Sequence, residues 1–251
     1  MPKLEISKVH DAYARGGECP LCTLVLGAEE AYLHSFQHSR VMEPSIRVKT
    51  NTTGFCPPHY RRLYDGENKL GLGLVVHTHL QASLPGLRAA FQDMLAGAGA
   101  GRKGGDRIAA AASTLAALRD RCYICDLLAT DRDRYAFTIL YLWGKDPEFP
   151  PTFRASTGFC IGHFLAVLSL GRTMLRRDRL QLWLRDVVPL MIGSLERLER
   201  DLLAFTQLHH DANRSLGTEE ERFALAGILQ KLAGGRFRQE RPWAGSLQAR
   251  Y

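Results

Sequence analysis

The sequence predicts an all-α protein of two similar helical units and a C-terminal helix, with each unit held by a metal site of three cysteines and one histidine. The first observation is a repeat, since TGFCPPH at residues 53–59 returns as TGFCIGH at residues 157–163. The second is that apolar residues recur every three or four positions over long stretches, which is the helical period. No segment shows the convincing alternation of a β-strand.

The first repeat is predicted as a series of helices joined by one irregular loop. A short amphipathic helix covers residues 5–14, and a second helix begins at the C-x2-C pair of residues 19–22. The proline-containing segment 39–53 is expected to be an irregular loop, which connects this helix to the next. A third helix opens at the C-x2-H pair of residues 56–59, where Pro57 and Pro58 suit a first turn. A long apolar helix then follows.

The second repeat is predicted to follow the same order. RIAAAASTLAALRDR forms the helix before the pair of residues 122–125, and GKDPEFPPTFRAS at residues 144–156 is the counterpart of the irregular loop. A helical stripe then runs from Leu180 to Phe205. Pro189 is expected to kink this stripe or divide it into two helices, because proline removes a backbone hydrogen bond inside a helix.

These elements predict four segments of chain. Residues 1–96 form the first metal-binding repeat, residues 97–106 a glycine-rich linker, and residues 107–210 the second repeat. Residues 211–251 form a C-terminal helix and a basic tail. The helix is indicated by a capping box at residues 218–221 and by apolar residues from Leu225 to Leu232.

The six cysteines and two of the histidines repeat together. Between the two copies they are displaced by 103, 103, 104 and 104 residues, so one inserted residue relates the copies. Taken in sequence order they predict two ligand sets: Cys19, Cys22, Cys56 and His59, followed by Cys122, Cys125, Cys160 and His163. Two ligands three residues apart at the start of a helix can bind one ion, and the helix dipole there favours a thiolate.

Three thiolates and one imidazole are typical of a closed structural zinc site, and we therefore expect two Zn²⁺ ions per chain. Two alternatives stay open at this point. One is an iron–sulfur cluster in which histidine replaces a cysteine, and the other is a thiol-based redox protein, either a carrier or a sensor. A disulfide framework does not explain why a histidine repeats with the cysteines.

No motif for phosphate binding, dinucleotide binding or serine hydrolysis occurs, and no paired carboxylates form a catalytic constellation, so we expect a non-enzymatic protein. Six further histidines are not assigned to chemistry. They lie at positions 34 and 38 on one predicted helix, at 77 and 79, and at 209 and 210 near a helix end.

Composition favours a cytoplasmic protein without a membrane segment, because the chain has no apolar run of sufficient length. The formal net charge of +7 permits attraction to nucleic acid. Arginine and aromatic residues mix in segments 172–183 and 235–251, but acidic residues are interleaved with them. We therefore expect weak nucleic-acid binding at most, and a protein partner on a helical face.

The order of these motifs resembles an uncharacterised bacterial family, domain of unknown function 6062. The residues that carry the resemblance in the first repeat are Cys19, Pro20, Cys22, Met42, Glu43, Pro44, Arg47, Thr50, Asn51, Gly54, Phe55, Cys56 and His59. Those in the second are Cys122, Cys125, Gly158, Phe159, Cys160 and His163. The resemblance extends to about residue 210 and implies a cytosolic, helical, metal-binding protein without an assigned activity. It leaves open whether residues 42–47 pack beneath the site or contact a partner.

Overall fold

The structure is a computed structural model that describes residues 4–101, 104–208 and 219–235. Within these ranges the chain forms eleven α-helices and one 3₁₀ helix and contains no strand, which confirms the all-α prediction. The helices of the first repeat are α1 (Ile6–Arg15), α2 (Pro20–Gln37), α3 (Pro44–Thr53), α4 (Pro57–Asp65) and α5 (Lys69–Ala98). The 3₁₀ helix, Arg40–Met42, precedes α3.

The second repeat adds five helices, and one more follows it. They are α6 (Gly104–Arg119), α7 (Tyr123–Lys145), α8 (Phe149–Arg154), α9 (Ile161–Met174), α10 (Arg177–Leu208) and α11 (Glu219–Ala233). Pro189 lies inside α10 and does not divide it, and Pro85 lies inside α5 in the same way. The capping-box threonine, His209, His210 and the basic tail lie outside the described residues.

Both segments predicted as irregular loops contain helices, so that part of the prediction is wrong. The prolines of these segments were expected to mark loops, but they lie in the first turns of helices. Pro44 occupies the first turn of α3, and Pro150 and Pro151 lie in the first turns of α8. Proline is favoured at this position because its fixed φ suits a helix and its missing N–H has no helical partner there.

The chain divides into two compact units, and their boundaries lie inside helices α2 and α7. One unit, here called the split unit, contains Met1–Leu26 and Asp131–Tyr251. The other, the inserted unit, is the continuous segment Gly27–Thr130. These units do not coincide with the sequence repeats, because each takes its C-x2-C pair from one repeat and its C-x2-H pair from the other.

The inserted unit is built around α5, against which α3, α4, α6 and the 3₁₀ helix pack. Its core includes Phe36, Phe55 and Tyr123, whose rings meet edge to face. Arg47 donates to the carbonyl oxygen of Leu74 and to Thr78 Oγ1, each at 3.1 Å, and so joins α3 to α5. Within segment 42–47, Ile46 is buried and Arg47 packs against α5, whereas residues 42–45 are exposed.

The split unit is built around α10, against which α8, α9 and α11 pack. Trp183 is fully buried on α10 and stacks on Phe164 of α9. Phe149, Phe153 and Phe159 form a second buried aromatic group. Within the described residues, no helix is both long enough and apolar enough to cross a membrane.

Candidate metal centres

The structure brings the eight predicted ligands into two groups of four, but the grouping differs from the one that sequence order predicts. Cys19, Cys22, Cys160 and His163 lie together in the split unit and are called the Cys19 centre. Cys56, His59, Cys122 and Cys125 lie together in the inserted unit and are called the Cys56 centre. The consecutive pairing was wrong because α2 and α7 each begin in one unit and end in the other, so the segments that follow them pack in a different core.

Each centre is formed where two helices begin, as predicted. The first cysteine of every pair directly precedes a helix, namely α2, α4, α7 or α9. Cys19 Sγ accepts the backbone N–H of Cys22 at 3.3 Å, and Cys160 Sγ accepts that of His163 at 3.4 Å. Sulfur thus takes the capping position at the helix start, where unpaired N–H groups and the dipole stabilise a thiolate.

The distances within each centre fit one tetrahedral ion. In the Cys19 centre, Cys22 Sγ lies 3.7 Å from Cys160 Sγ, and His163 Nδ1 lies 3.3–3.5 Å from the three sulfurs. In the Cys56 centre, Cys56 Sγ lies 3.7 Å from Cys125 Sγ, and His59 Nδ1 lies 3.1–3.5 Å from its three sulfurs. Tetrahedral zinc with ordinary bond lengths separates two sulfurs by about 3.8 Å and sulfur from nitrogen by about 3.6 Å.

In both centres the histidine and a neighbouring cysteine shift each other's pKa. Burial opposes a charge on His59, but hydrogen bonds with Cys122 and Glu29 raise its pKa to about 10. Burial likewise opposes the Cys122 thiolate, yet the adjacent His59 lowers the pKa of Cys122 to about 6. Each centre can thus hold an imidazolium beside a thiolate, and a divalent cation would displace protons shared among its ligands.

The same pattern holds in the Cys19 centre. Hydrogen bonds from Cys19 and Cys22 lower the pKa of Cys160 far below its usual value, whereas burial raises that of Cys19. Burial again works against protonation of His163, but Cys160 and Cys22 raise its pKa to about 9. The two centres differ in exposure, because Cys19, Cys22 and Cys160 are buried while Cys125 is exposed and Cys56 is half-buried.

Two supporting residues were missed by sequence reasoning. In the inserted unit, Glu29 Oε1 lies 3.0 Å from His59 Nε2, and Arg62 lies 3.0 Å from the other carboxylate oxygen. In the split unit, Lys231 is buried on α11 and donates to the carbonyl oxygens of Thr157 and Phe159 at 2.6 and 3.4 Å. Neither residue repeats between the copies, so the duplication gave no signal for it.

The histidines set aside in the sequence analysis lie elsewhere. His34 and His38 stack on each other, and His38 Nδ1 lies 2.8 Å from the carbonyl oxygen of His34. His79 Nδ1 lies 2.9 Å from the carbonyl oxygen of Asn51, which connects α5 to α3. None of these three belongs to either metal centre.

Comparison with known proteins identifies a family but no activity. No curated protein and no solved structure matches the chain. The pattern of one family, described as a family of unknown function (DUF6062), matches residues 2–239. The match reaches beyond residue 210, so α11 with Lys231 falls within the family pattern and the expected end of the resemblance is corrected. The chain therefore belongs to the family of unknown function DUF6062.

Proposed function

We propose that this is a non-enzymatic protein that binds two Zn²⁺ ions, with one structural ion in each compact unit. The observation that carries the proposal is the tetrahedral spacing of three sulfurs and one Nδ1 in both centres. Four protein ligands fill the coordination shell of zinc, whereas a catalytic zinc keeps one position open for water or substrate. Burial of three sulfurs in the Cys19 centre also favours a structural role.

The same spacing weighs against an iron–sulfur cluster. In a cluster the protein ligands are distributed over several iron atoms, so ligands on different irons lie farther apart than ligands of one ion. Here all four ligand atoms of each centre lie within 4.8 Å of one another, which favours a single ion. We expect a colourless protein after anaerobic purification. Charge-transfer absorption near 400 nm would favour the cluster instead.

Elemental analysis tests the proposal directly. Protein purified without a chelator should contain two zinc atoms per chain, and a value near zero would contradict a zinc function. As a control, the double variant His34→Ala/His38→Ala should keep both ions, because these histidines belong to neither centre. Retention of two zinc ions by a Cys56→Ser/His59→Ala variant would show that the metal lies elsewhere.

A thiol-based redox function is the second candidate, and it is favoured by one observation. Cys125 is exposed and its Sγ lies 3.7 Å from that of Cys56, so this pair could form a disulfide on oxidation. Zinc-bound thiols that resist alkylation until a chelator is added would count against this function. Reversible oxidation of the zinc-loaded protein, with loss of one ion, would support it.

We further propose that exposed helical surfaces bind another protein. The supporting observation is that large apolar side chains lie exposed along α5, since Leu70 is 77%, Phe91 55% and Leu95 76% exposed. Apolar exposure of this kind on one helix marks many protein-binding surfaces. A Leu70→Ser/Leu95→Ser variant should lose its partner in cross-linking experiments. The Leu182→Ser/Leu203→Ser control on α10 should keep it.

Nucleic-acid binding is expected to be weak. Arg179 donates to the carbonyl oxygen of Gly144 and lies over the Trp143 ring, and Arg176 is paired with Asp178. Two of the four arginines of segment 172–183 therefore already have partners within the protein. Binding should disappear between about 50 and 200 mM salt, as expected for a purely electrostatic contact. A complex that survives 200 mM salt would contradict this expectation.

A further inference from the structure

Glu29 contacts the Cys56 centre from outside its ligand set. Its side chain is 17% exposed, and its Oε1 lies 3.0 Å from Nε2 of His59, which is itself 6% exposed. The other ring nitrogen of His59, Nδ1, faces the three sulfurs. When Nδ1 binds a metal ion, Nε2 carries the proton and can donate it in a hydrogen bond to the carboxylate.

A cation in turn holds the carboxylate. Arg62 lies 3.0 Å from Glu29 Oε2 and 2.7 Å from Glu30 Oε1. The two oxygens of the Glu29 carboxylate are therefore held from opposite ends, one by the His59 ring and the other by a guanidinium. A charged carboxylate on the outer nitrogen makes the inner nitrogen of imidazole a better electron donor to a metal.

The Cys19 centre has the opposite charge at the equivalent position. Glu29 lies seven residues after Cys22, and seven residues after Cys125 the second repeat has Arg132. Arg132 lines a cavity of about 330 Å³ together with Cys160 and His163. The repeat position that supplies a carboxylate to His59 therefore holds an arginine in the second repeat, and its guanidinium pairs with Asp133.

We infer that Glu29 is a positioning residue for metal binding: it fixes the tautomer and orientation of His59 and so raises the metal affinity of the Cys56 centre alone. This inference rests on the proposed zinc function. It makes the two centres chemically different despite their identical ligand sets. It also assigns the difference to one position of the repeat, at which Glu29 and Arg132 have opposite charges.

Chelator competition at fixed pH tests the inference on the full-length zinc protein. Glu29→Ala should weaken zinc binding at the Cys56 centre by roughly 10- to 100-fold, the usual effect of losing such a partner, and leave the Cys19 centre unchanged. Glu29→Gln keeps a hydrogen-bond acceptor without the charge and should recover part of the loss. Glu30→Ala removes the neighbouring carboxylate, which pairs with Arg62 and does not belong to either centre, and this control should bind like the wild type.

Two readouts separate positioning from a general loss of structure. Alkylation followed by peptide mass mapping assigns each released ion, because Cys56, Cys122 and Cys125 should become reactive before Cys19, Cys22 and Cys160. In nitrogen-15 NMR spectra, the Nε2–H proton of His59 should exchange slowly in the wild type and rapidly in Glu29→Ala. Unchanged affinity in a Glu29→Ala variant that still binds two ions would overturn the inference. Absence of zinc from the wild type would overturn the proposed function instead.

Discussion

The two units hold their ligand pairs together in different ways. In the inserted unit, the backbone N–H of Tyr123 donates to the carbonyl oxygen of Gly54 at 3.0 Å, so the segments that carry Cys122 and Cys56 are joined directly. The residue equivalent to Tyr123 in the split unit is Pro20, which has no N–H to donate. The backbone hydrogen bond that joins the two ligand pairs of the inserted unit therefore cannot form in the split unit.

In the split unit, side chains make this connection. Thr157 Oγ1 donates to the carbonyl oxygen of Gly17 at 2.7 Å. Lys231 bonds the carbonyl oxygens beside Cys160 and lies 3.7 Å from Glu18, the residue that precedes Cys19. The difference teaches that repeated ligands do not imply repeated support. The split unit depends on α11, a helix that follows the second repeat.

The largest expected effect tests the grouping of the ligands. Cys122→Ser should lose one of two zinc ions, and the inserted unit should lose stabilisation on the order of 10 kcal/mol, the apparent binding energy of a structural zinc at neutral pH. Mass mapping should find Cys56 alkylated while Cys160 stays protected. Ligands paired in sequence order would give the reverse result. Cys160→Ser should mirror the effect, exposing Cys19 and Cys22 while leaving Cys56 protected.

A smaller but still large effect is expected at Lys231. Lys231→Met removes a buried cation and leaves Glu18 and two carbonyl oxygens without it, at a cost of about 3 kcal/mol. All three tryptophans, at positions 143, 183 and 243, lie outside residues 27–130, so fluorescence during denaturant unfolding carries no signal from the inserted unit. The exposed Lys145 provides the control variant Lys145→Met, which should unfold like the wild type. If Lys231→Met and Lys145→Met were equally stable, Lys231 would not be a support of the split unit.

Each repeat has a glycine two residues before its third cysteine, and these two glycines provide a further comparison of the units. Gly54 and Gly158 both have positive φ, 60° and 76°, which costs a residue with a side chain about 1–3 kcal/mol. A methyl group at Gly54 would lie 2.6 Å from the His79 ring, whereas at Gly158 it would lie 3.0 Å from the flexible Met191 side chain. Gly54→Ala should therefore destabilise its unit more than Gly158→Ala, by about 1 kcal/mol. The measurement is the rate of alkylation in the presence of a chelator, at Cys122 for Gly54→Ala and at Cys160 for Gly158→Ala.

The smallest effects are expected at two arginines that hold supporting carboxylates. Arg62 lies 3.0 Å from Glu29, and Arg197 lies 2.6 Å from Glu18. Both side chains are 37% exposed, so solvent screens these pairs and each Arg→Ala substitution should cost no more than about 1 kcal/mol. Thermal unfolding of the two zinc-loaded variants measures both stability costs. A loss of several kcal/mol of stability in either variant would contradict this expectation, because it would show that the ion pair contributes more to its unit than an exposed pair should.

The sequence was sufficient to predict the helices other than α3 and α8, the eight residues that gather in two groups, and their placement at helix starts. Each of these depends on local spacing, and duplication reinforced the ligand signal. The grouping could not be predicted, because either C-x2-H pair is chemically suited to either C-x2-C pair. Choosing between them requires knowing in which unit α2 and α7 end. Glu29 and Lys231 were beyond reach for a related reason, since their partners are distant in sequence and their positions do not repeat.

The exchange of ligand pairs also sets an order for assembly during synthesis. Chains often fold from the N-terminus as they leave the ribosome. Here Cys19 and Cys22 emerge first, but their partners Cys160 and His163 emerge much later, and Lys231 later still. The Cys56 centre has all its ligands once Cys125 has emerged. Under the proposed zinc function, the middle of the chain would bind its ion first, and Cys19 and Cys22 would stay free thiols until the last helices have been made.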